Sequence, residues 1–290
     1  MKRIILLTSL LLIGTACSKD DNKASEQVSP KETVIFPTEK TGNDTDYTIT
    51  TYQSEGGKVK KILKEVYYGR QKHGSSTTTT LTYGDSKYPI ELEIVSDAGN
   101  KQKIEYTYNE NQLPVLIKYT QNDQTKLQTR EYDNKGRVTK IITNFSGTSS
   151  TWTYSYNDKK GTIVEKDNKF PKKTTTYTVV DGNITKITKE EIERGRIDTE
   201  ITEYEYDPTI KNHKASLDYR LLSMNYIDQQ PYLPKYSKNV FTKEITKGGN
   251  GEEVTNTNVY TYEKNEQGFP TQVKVQYNGR AEVVLETYTY

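Results

Sequence analysis

Apolar and polar residues alternate with a period of two along most of the chain. In one such segment Trp152, Tyr154 and Tyr156 fall on one side, and the intervening threonine and serine residues fall on the other. This alternation is typical of a β-strand with one packed face and one face in water. The repeated segments show no sustained helical spacing. The pattern therefore predicts an all-β chain.

A tyrosine followed by a turn rich in Asn, Asp and Gly recurs at Tyr108, Tyr132 and Tyr156, in steps of 24 residues. Two strands and two short turns fill such a step, so each repeat predicts one β-hairpin. Counting these segments from Tyr47 to Tyr290 gives about 14 to 17 strands in an antiparallel meander. A sheet with so many strands removes its exposed edges by closing, so we predict a barrel or barrel-like sheet.

One segment, at about residues 208–235, interrupts the repeat. It contains Leu217, Leu221, Met224 and Tyr226 at the spacing of one helical stripe. This spacing predicts a short helix that packs into or caps the barrel. We therefore predict a single repetitive domain over residues 47–290 with one short helical insertion.

Composition favours an antiparallel sheet. Apolar residues make up 32% of the 290 residues, below the roughly 45–50% of ordinary globular chains. A sheet with one wet face needs fewer apolar residues than a helix-covered sheet, and the 24 tyrosines suit a pleated surface. The 41 basic and 39 acidic residues give a net charge of +2. So balanced a charge does not predict nucleic-acid binding.

Residues 1–16 have the features of a signal peptide. Lys2 and Arg3 precede an apolar stretch over residues 4–13, and small residues lead to Cys17. The stretch is too short to span a bilayer. It resembles a lipobox, although Gly14 stands where that motif usually has leucine. The resemblance implies that Cys17 is lipidated; ordinary secretion with a free Cys17 thiol is the alternative.

Residues 17–46 are predicted to form a lipid-anchored, disordered tether, because they are rich in polar residues and include Pro30 and Pro37. The acidic stretch at residues 18–22 resembles an export signal that places lipoproteins on the outer face of the outer membrane. We therefore predict an outer-membrane lipoprotein exposed on the cell surface, in contact with the membrane through its anchor. An anchor that faces the periplasm is the alternative.

The segment from Tyr132 to Ile141 resembles the YD repeat of Rhs-type proteins, in which Tyr-Asp is followed by Gly-Arg and an apolar residue. The other copies keep the tyrosine, the turn and the following Ile or Val. Leader and repeats together resemble a family of uncharacterised Bacteroidetes surface lipoproteins with a porin-like β-barrel domain. This resemblance implies a barrel from about Tyr47 onward and carries over no catalytic residue.

The sequence offers little catalytic material. Cys17 is the only cysteine, and the two histidines, His73 and His213, are predicted to be solvated loop residues. Motifs for a nucleophilic serine, a phosphate loop or a dinucleotide are missing. The stretch at residues 43–46 has oxygen ligands for calcium but not the spacing of an established loop. We predict a non-enzymatic protein without cofactor or metal.

The predicted function is non-catalytic binding, of a glycan or a surface protein, or a structural surface role. Trp152, Tyr154 and Tyr156 are the candidates for stacking on a sugar, with packing as the alternative role. The alternative function is a polysaccharide-acting glycoside hydrolase that uses paired carboxylates. A membrane pore is disfavoured, because Lys, Glu and Thr stand where a lipid-facing band is required, as at residues 185–190.

Overall fold

The computed structural model describes residues 36–167, 172–193, 195–222, 232–248 and 251–290. The predicted signal peptide and Cys17 lie outside these residues. So do Met224 and Tyr226 of the predicted helical stripe.

The described residues form nineteen strands and one short α-helix. The strands are β1 (Thr38–Gly42), β2 (Tyr47–Glu55), β3 (Lys58–Tyr68), β4 (Gln71–Lys72), β5 (Thr77–Thr82), β6 (Glu91–Ser96), β7 (Lys101–Tyr108), β8 (Pro114–Gln121), β9 (Gln124–Tyr132), β10 (Val138–Phe145), β11 (Thr148–Asn157), β12 (Thr162–Asp167), β13 (Lys172–Val180), β14 (Asn183–Glu193), β15 (Arg196–Lys211), β16 (Asn239–Gly248), β17 (Glu253–Lys264), β18 (Pro270–Tyr277) and β19 (Val283–Thr289). Between β15 and β16 lie the helix α1 (Leu217–Leu222) and 3-10 turns at His213–Ala215 and Pro234–Tyr236.

Apart from β4, each strand pairs antiparallel with the next, and β1 pairs with β19 to close the sheet. The two-residue β4 pairs only with β3, and β3 continues to β5. Eighteen of the nineteen described strands therefore form the ring. The prediction of a closed antiparallel meander is confirmed, with one strand more than the upper end of the expected range.

The additional strand is β1, which we assigned to the tether. That assignment is wrong for Thr38–Gly42, since these residues pair with both β2 and β19. Their sequence, Thr-Glu-Lys-Thr-Gly, has no apolar residue to mark a strand. Backbone hydrogen bonds to two neighbours hold β1 in place, and Glu39 turns inward with 7% of its surface exposed.

The barrel interior is packed by two apolar clusters. The first cluster comprises Val59, Ile62, Leu81, Tyr88, Leu92, Ile94, Ile104, Tyr106, Ile117 and Leu221. The second cluster comprises Val138, Ile141, Trp152, Tyr154, Ile163, Tyr177, Ile184 and Ile187. Strand residues of both clusters alternate with exposed or half-buried residues, as the period-two pattern predicts.

The insertion between β15 and β16 contributes to this packing. Leu221 of α1 is fully buried in the first cluster, and Leu217 packs against it. The Tyr106 hydroxyl donates a hydrogen bond to the Leu221 carbonyl at 3.3 Å. Farther along, Tyr232 packs against the second cluster. The described part of the insertion therefore lies against the inner surface, as the stripe at Leu217 and Leu221 predicts.

The recurring tyrosine closes the open end of its own hairpin. Tyr132, at the end of β9, donates its hydroxyl to the carbonyl of Pro114, the first residue of β8, at 2.8 Å. Five other tyrosines make the same kind of bond to a backbone carbonyl at or near the start of an earlier strand. They are Tyr83 to Val59 (2.9 Å), Tyr108 to Pro89 (2.6 Å), Tyr156 to Val138 (2.5 Å), Tyr206 to Ile184 (2.6 Å) and Tyr262 to Phe241 (2.8 Å). We call each such bond a tyrosine latch.

The turn after Tyr132 accounts for the spacing of the Tyr-Asp-x-x-Gly-Arg motif. The Asp133 carboxylate accepts hydrogen bonds from the backbone N–H groups of Lys135 and Arg137, both at 2.9 Å. Gly136 has φ +74°, a conformation that favours glycine. The Arg137 side chain returns to Asp133 at 2.7 Å. Tyr-Asp-x-x-Gly-Arg is thus a latch followed by a self-capped turn.

Candidate functional site

A cavity of about 140 Å³, lined by both polar and apolar side chains, lies where the chain leaves β15 for the insertion. Residues from the insertion, β17 and β19 line this interior cavity, including Asn212, His213, Lys214, Tyr260, Tyr262, Glu286 and Tyr288. Its volume holds a few water molecules and falls below the roughly 300–1,000 Å³ of typical small-molecule sites.

Asn212 fixes the wall of the interior cavity. Its side-chain oxygen accepts a hydrogen bond from the Lys214 N–H at 3.1 Å, which caps the 3-10 turn at His213–Ala215. Its side-chain nitrogen donates to the carbonyls of Lys235 and Ser237 at 2.9 and 2.8 Å. One amide therefore ties the start of the insertion to its end and holds His213 and Lys214 toward β19.

Lys214 and Glu286 form an interior ion pair. The Lys214 Nζ lies 3.0 and 2.8 Å from the two carboxylate oxygens of Glu286, and Tyr288 also donates its hydroxyl to this carboxylate. Burial acts to raise the pKa of Glu286, but Lys214 and Tyr288 outweigh burial, so the pKa lies below its usual value. Glu286 is therefore ionised at neutral pH.

His213 is buried beside this pair, with 7% of its surface exposed. Its Nε2 lies 3.7 Å from Oε1 of Glu39, and its ring meets the Tyr288 ring edge-on at a centroid distance of 4.8 Å. Burial lowers the pKa of His213 below its usual value of about 6.5 despite the Glu39 carboxylate. The prediction that His213 is a solvated loop residue is wrong, because the insertion folds inward.

The other histidine behaves as the sequence predicts. His73 is exposed in the turn before β5, where its ring hydrogen-bonds with the Ser75 hydroxyl at 2.9 Å. Turn chemistry also accounts for residues 43–46. The Asn43 side-chain oxygen accepts hydrogen bonds from the N–H groups of Thr45 and Asp46 at 2.8 and 2.7 Å.

Tyrosine hydroxyls surround the inward-facing carboxylates. Tyr52 donates to Glu39 at 3.4 Å, and Tyr177 donates to Glu165 at 3.4 Å. Glu165 is 5% exposed, and burial raises its pKa despite hydrogen bonds from Tyr154 and Tyr177. These hydroxyls donate hydrogen bonds to the carboxylates but carry no positive charge that would balance the negative one. The barrel interior therefore contains hydrogen-bonded polar side chains as well as the two apolar clusters.

Trp152, Tyr154 and Tyr156 share the inward face of β11. Trp152 and Tyr154 are 8% and 5% exposed, within the second cluster. Tyr156 is half-buried; its hydroxyl bonds with that of Tyr232, and the Arg137 guanidinium lies 4.0 Å above its ring. Residues of the protein already contact all three rings. Their role in stacking on a sugar stays a prediction.

A larger, open groove of about 480 Å³ lies at the end of the barrel where β14 joins β15. We call it the rim groove. Threonines and charged side chains line it, among them Lys173, Lys189, Glu191, Arg196 and Glu200. Lys173 pairs with Glu191 at 2.9 Å and Lys189 pairs with Glu200 at 2.8 Å. Its volume lies in the range of ligand-binding sites, and its lining supplies many hydrogen-bonding groups. No local sequence signal marks this groove as a site, because charged residues at a strand end are typical of any solvated surface.

The outward face of the strands carries cross-strand ion pairs. Their nitrogen–oxygen distances run from 2.6 to 3.2 Å, and the pairs are Lys103–Glu91, Lys118–Glu105, Lys140–Glu131, Lys243–Glu205, Lys247–Glu203 and Lys274–Glu263. Glu203 and Glu205 lie on this face, and Tyr204 and Tyr206, which alternate with them, turn inward as the alternation predicts.

Comparison with known proteins finds similar chains only among solved structures. No protein-family model matches the chain, and no curated protein matches it. A porin-like protein from Bacteroides uniformis ATCC 8492 is 16% identical, with a TM-score of 0.48 over 87% of this chain and 95% of that chain. A porin-like protein from Bacteroides vulgatus ATCC 8482 is 12% identical, with a TM-score of 0.43 over 87% and 97%.

Within the part of the chain that the structure describes, no helix is long and apolar enough to cross a membrane. The same residues contain no group of three or more His, Cys, Asp or Glu side chains placed to hold a metal ion.

Proposed function

We propose that the protein is a lipid-anchored barrel of the outer membrane, exposed at the cell surface, which faces water and acts by binding. The ion-paired outward face is the observation that carries this proposal. A barrel wall in contact with lipid has an apolar outer band, and a Lys at the bilayer midplane costs about 2–4 kcal/mol. Lys118 and Lys243, each paired with a glutamate on the neighbouring strand, fit a wall in water.

The packed interior supports binding at the rim rather than conduction. Eighteen strands would enclose a wide channel if the interior were unfilled. Here Leu221 and Tyr232 of the insertion pack against the first and second clusters. The rim groove is the larger of the two sites described above. We infer that it is the ligand-binding surface, and that a glycan or a surface protein is the ligand.

Lipid anchoring is tested first. Cells that express the wild-type protein or Cys17→Ser are grown with labelled palmitate, and the protein is then recovered. The wild type takes up label and the variant does not. Label in neither protein contradicts the anchor. Protease added to intact wild-type cells degrades the barrel if it faces outward, whereas full protection contradicts surface exposure.

Ligand binding is tested with the purified full-length protein against a panel of polysaccharides. Saturable binding of one glycan class that is lost in the Lys173→Ala/Lys189→Ala variant supports the rim groove. The matched control is Lys243→Ala/Lys274→Ala, which removes two ion-paired lysines from the outward face. Equal loss in both variants contradicts the assignment. Release of reducing sugar that is abolished in Glu191→Gln/Glu200→Gln, two carboxylates of the rim groove, would instead favour the glycoside hydrolase.

A further inference from the structure

We propose that Glu244 and the residues around it form a binding site for an alkylammonium group, independent of the rim groove. The strand register places Tyr204 of β15 and Asn258 of β17 on either side of Glu244 in β16. All three side chains therefore lie on one face of the sheet, the inward face that Tyr204 shares with the buried Thr202.

Glu244 is surrounded by neutral donors. Its Oε1 accepts the Tyr204 hydroxyl at 3.2 Å, and its Oε2 accepts the Asn258 Nδ2 at 2.9 Å and the Tyr260 hydroxyl at 3.3 Å. No Lys, Arg or His among the described residues forms an ion pair with it. Glu286 differs, because Lys214 neutralises it. Glu244 thus presents a negative charge without a cationic partner within the described part of the chain.

Asn258 supplies the second, independent observation. Its residue surface is 6% exposed, and its side-chain Oδ1 is buried without a hydrogen-bond partner. Because Nδ2 of the same amide donates to Glu244, this unsatisfied oxygen belongs to a side chain that contacts the carboxylate. A buried acceptor without a donor costs about 1–3 kcal/mol. A ligand that donates hydrogen bonds would satisfy the amide and the carboxylate together.

Aromatic rings complete the site. The Phe241 ring packs edge-on against Tyr260 and Tyr204, at centroid distances of 4.8 and 5.5 Å. Burial, with the nearby Glu244 charge, raises the pKa of both tyrosines, so their hydroxyls remain protonated donors. Aromatic faces attract cations, and an ammonium group carries three donors and no acceptor. Glu244, Tyr204 and Tyr260 are each only half-buried, which leaves an approach for a small ligand.

The chemistry favours an organic ammonium over a metal ion. Calcium takes six to eight oxygen ligands, whereas this site combines one carboxylate, one free amide oxygen and aromatic walls. The interior pair of Lys214 with Glu286 shows that the same protein interior accommodates an alkylammonium bound to a carboxylate and flanked by a tyrosine ring, Tyr288. The Glu244 site has a similar carboxylate and tyrosine rings but no lysine, so that an alkylammonium ligand can take the position that Lys214 has beside Glu286.

The probe is n-butylammonium chloride, titrated into the purified full-length protein and followed by ligand-detected saturation-transfer NMR. We expect saturable binding, with no binding of uncharged 1-butanol. Glu244→Gln keeps the shape of the side chain and removes the charge, so we expect at least a tenfold loss of affinity. The matched control is Glu205→Gln, which removes a carboxylate from the outward face of the adjacent strand, and we expect unchanged affinity.

Three results would overturn the ammonium site: no saturable binding to the wild type, equal binding of 1-butanol, or equal affinity in folded wild type and Glu244→Gln. Calcium chloride that displaces the probe stoichiometrically would also overturn it in favour of a metal site. If Glu244→Gln fails to fold by circular dichroism, the comparison of butylammonium with 1-butanol on the wild type still decides whether the bound group must carry a charge. Asn258→Ala then tests the location, with a several-fold weaker affinity expected.

Discussion

The Tyr132 hydroxyl donates a hydrogen bond to the Pro114 carbonyl at 2.8 Å and ties the last residue of β9 to the first residue of β8. The hairpin turn joins the two strands at the opposite end, so this bond secures the end that would otherwise fray. Related latches at Tyr108 and Tyr262 close other hairpins in the same way. The period of the repeat is therefore the length of one latched hairpin.

Removal of a single latch should lower stability without altering the fold. Tyr132→Phe keeps the ring and leaves the Pro114 carbonyl without its donor, so we expect the free energy of unfolding to fall by about 1 kcal/mol. Urea denaturation followed by circular dichroism measures the change. Tyr277→Phe is the control, because the Tyr277 ring is 41% exposed and makes no latch. A loss as large in the control would contradict the role of the latch.

Leu221 should be a major contributor to the packing of the insertion. It is fully buried in the first cluster, so Leu221→Ala should lower the free energy of unfolding by about 2–5 kcal/mol. Leu127→Ala removes the same atoms from an outward side chain that is 37% exposed, and should cost much less. Thermal melts of the two variants make the comparison. An unchanged melt for Leu221→Ala would show that the insertion does not stabilise the barrel.

Stability should rise with pH through the range in which His213 loses its proton. Because burial lowers the pKa of folded His213 below the unfolded value of about 6.5, the unfolded chain binds more protons between these two values. The free energy of unfolding therefore increases with pH across that window and levels off above about pH 6.5. Urea midpoints measured from pH 5 to pH 8 follow the trend.

The contribution of His213 is separated by substitution. The groups that face the ring are Glu39, Lys214, Glu286, Tyr288 and Tyr290. His213→Gln should flatten the slope just below pH 6.5, whereas His73→Gln, at an exposed turn, should leave it unchanged. A slope that is the same in all three proteins would show that His213 is not the titrating group.

The pair of Lys214 and Glu286 should be more costly to break than to replace. Lys214→Met leaves a largely buried carboxylate without its cation, for which we expect a loss of about 3 kcal/mol. Lys214→Met/Glu286→Leu removes both charges and should be more stable than Lys214→Met alone. A double-mutant cycle by urea denaturation measures the coupling. Additive effects would show that the two residues do not interact appreciably.

The strands, their inward and outward faces and the closed meander could be predicted from the sequence, because a period of two and a repeated turn are local signals. The inward side of Tyr204 and the outward side of Glu205 follow directly from alternation. The helix position at Leu217 and Leu221 was also visible in the spacing of apolar residues. These features depend on neighbours within one hairpin or one helical turn.

The interior contacts depend on the closed ring and had no local signal. Glu39, His213 and Glu286 are far apart in the chain and meet only because β1 pairs with β19 and the insertion folds inward. The latch acceptors are backbone carbonyls, which no residue type marks. The rim groove lies on strand ends whose Lys and Glu residues match any solvated strand. Sequence patterns thus predicted the strands of the barrel but not the side-chain contacts inside it.

The seam between β1 and β19 also sets the order in which the barrel can be completed. Because the chain is synthesised from its N-terminus, Thr38–Gly42 is made before every other strand of the ring. Val283–Thr289 is made after all of them. The edge of β1 that pairs with β19 therefore stays unpaired until the rest of the barrel has formed. An unpaired strand edge can pair with the edge of another chain, which leads to aggregation. Thr-Glu-Lys-Thr-Gly is suited to that interval, because charged, non-apolar edges discourage association. The polar and charged residues that leave β1 without an apolar pattern therefore also discourage pairing of this edge with other chains until β19 pairs with it.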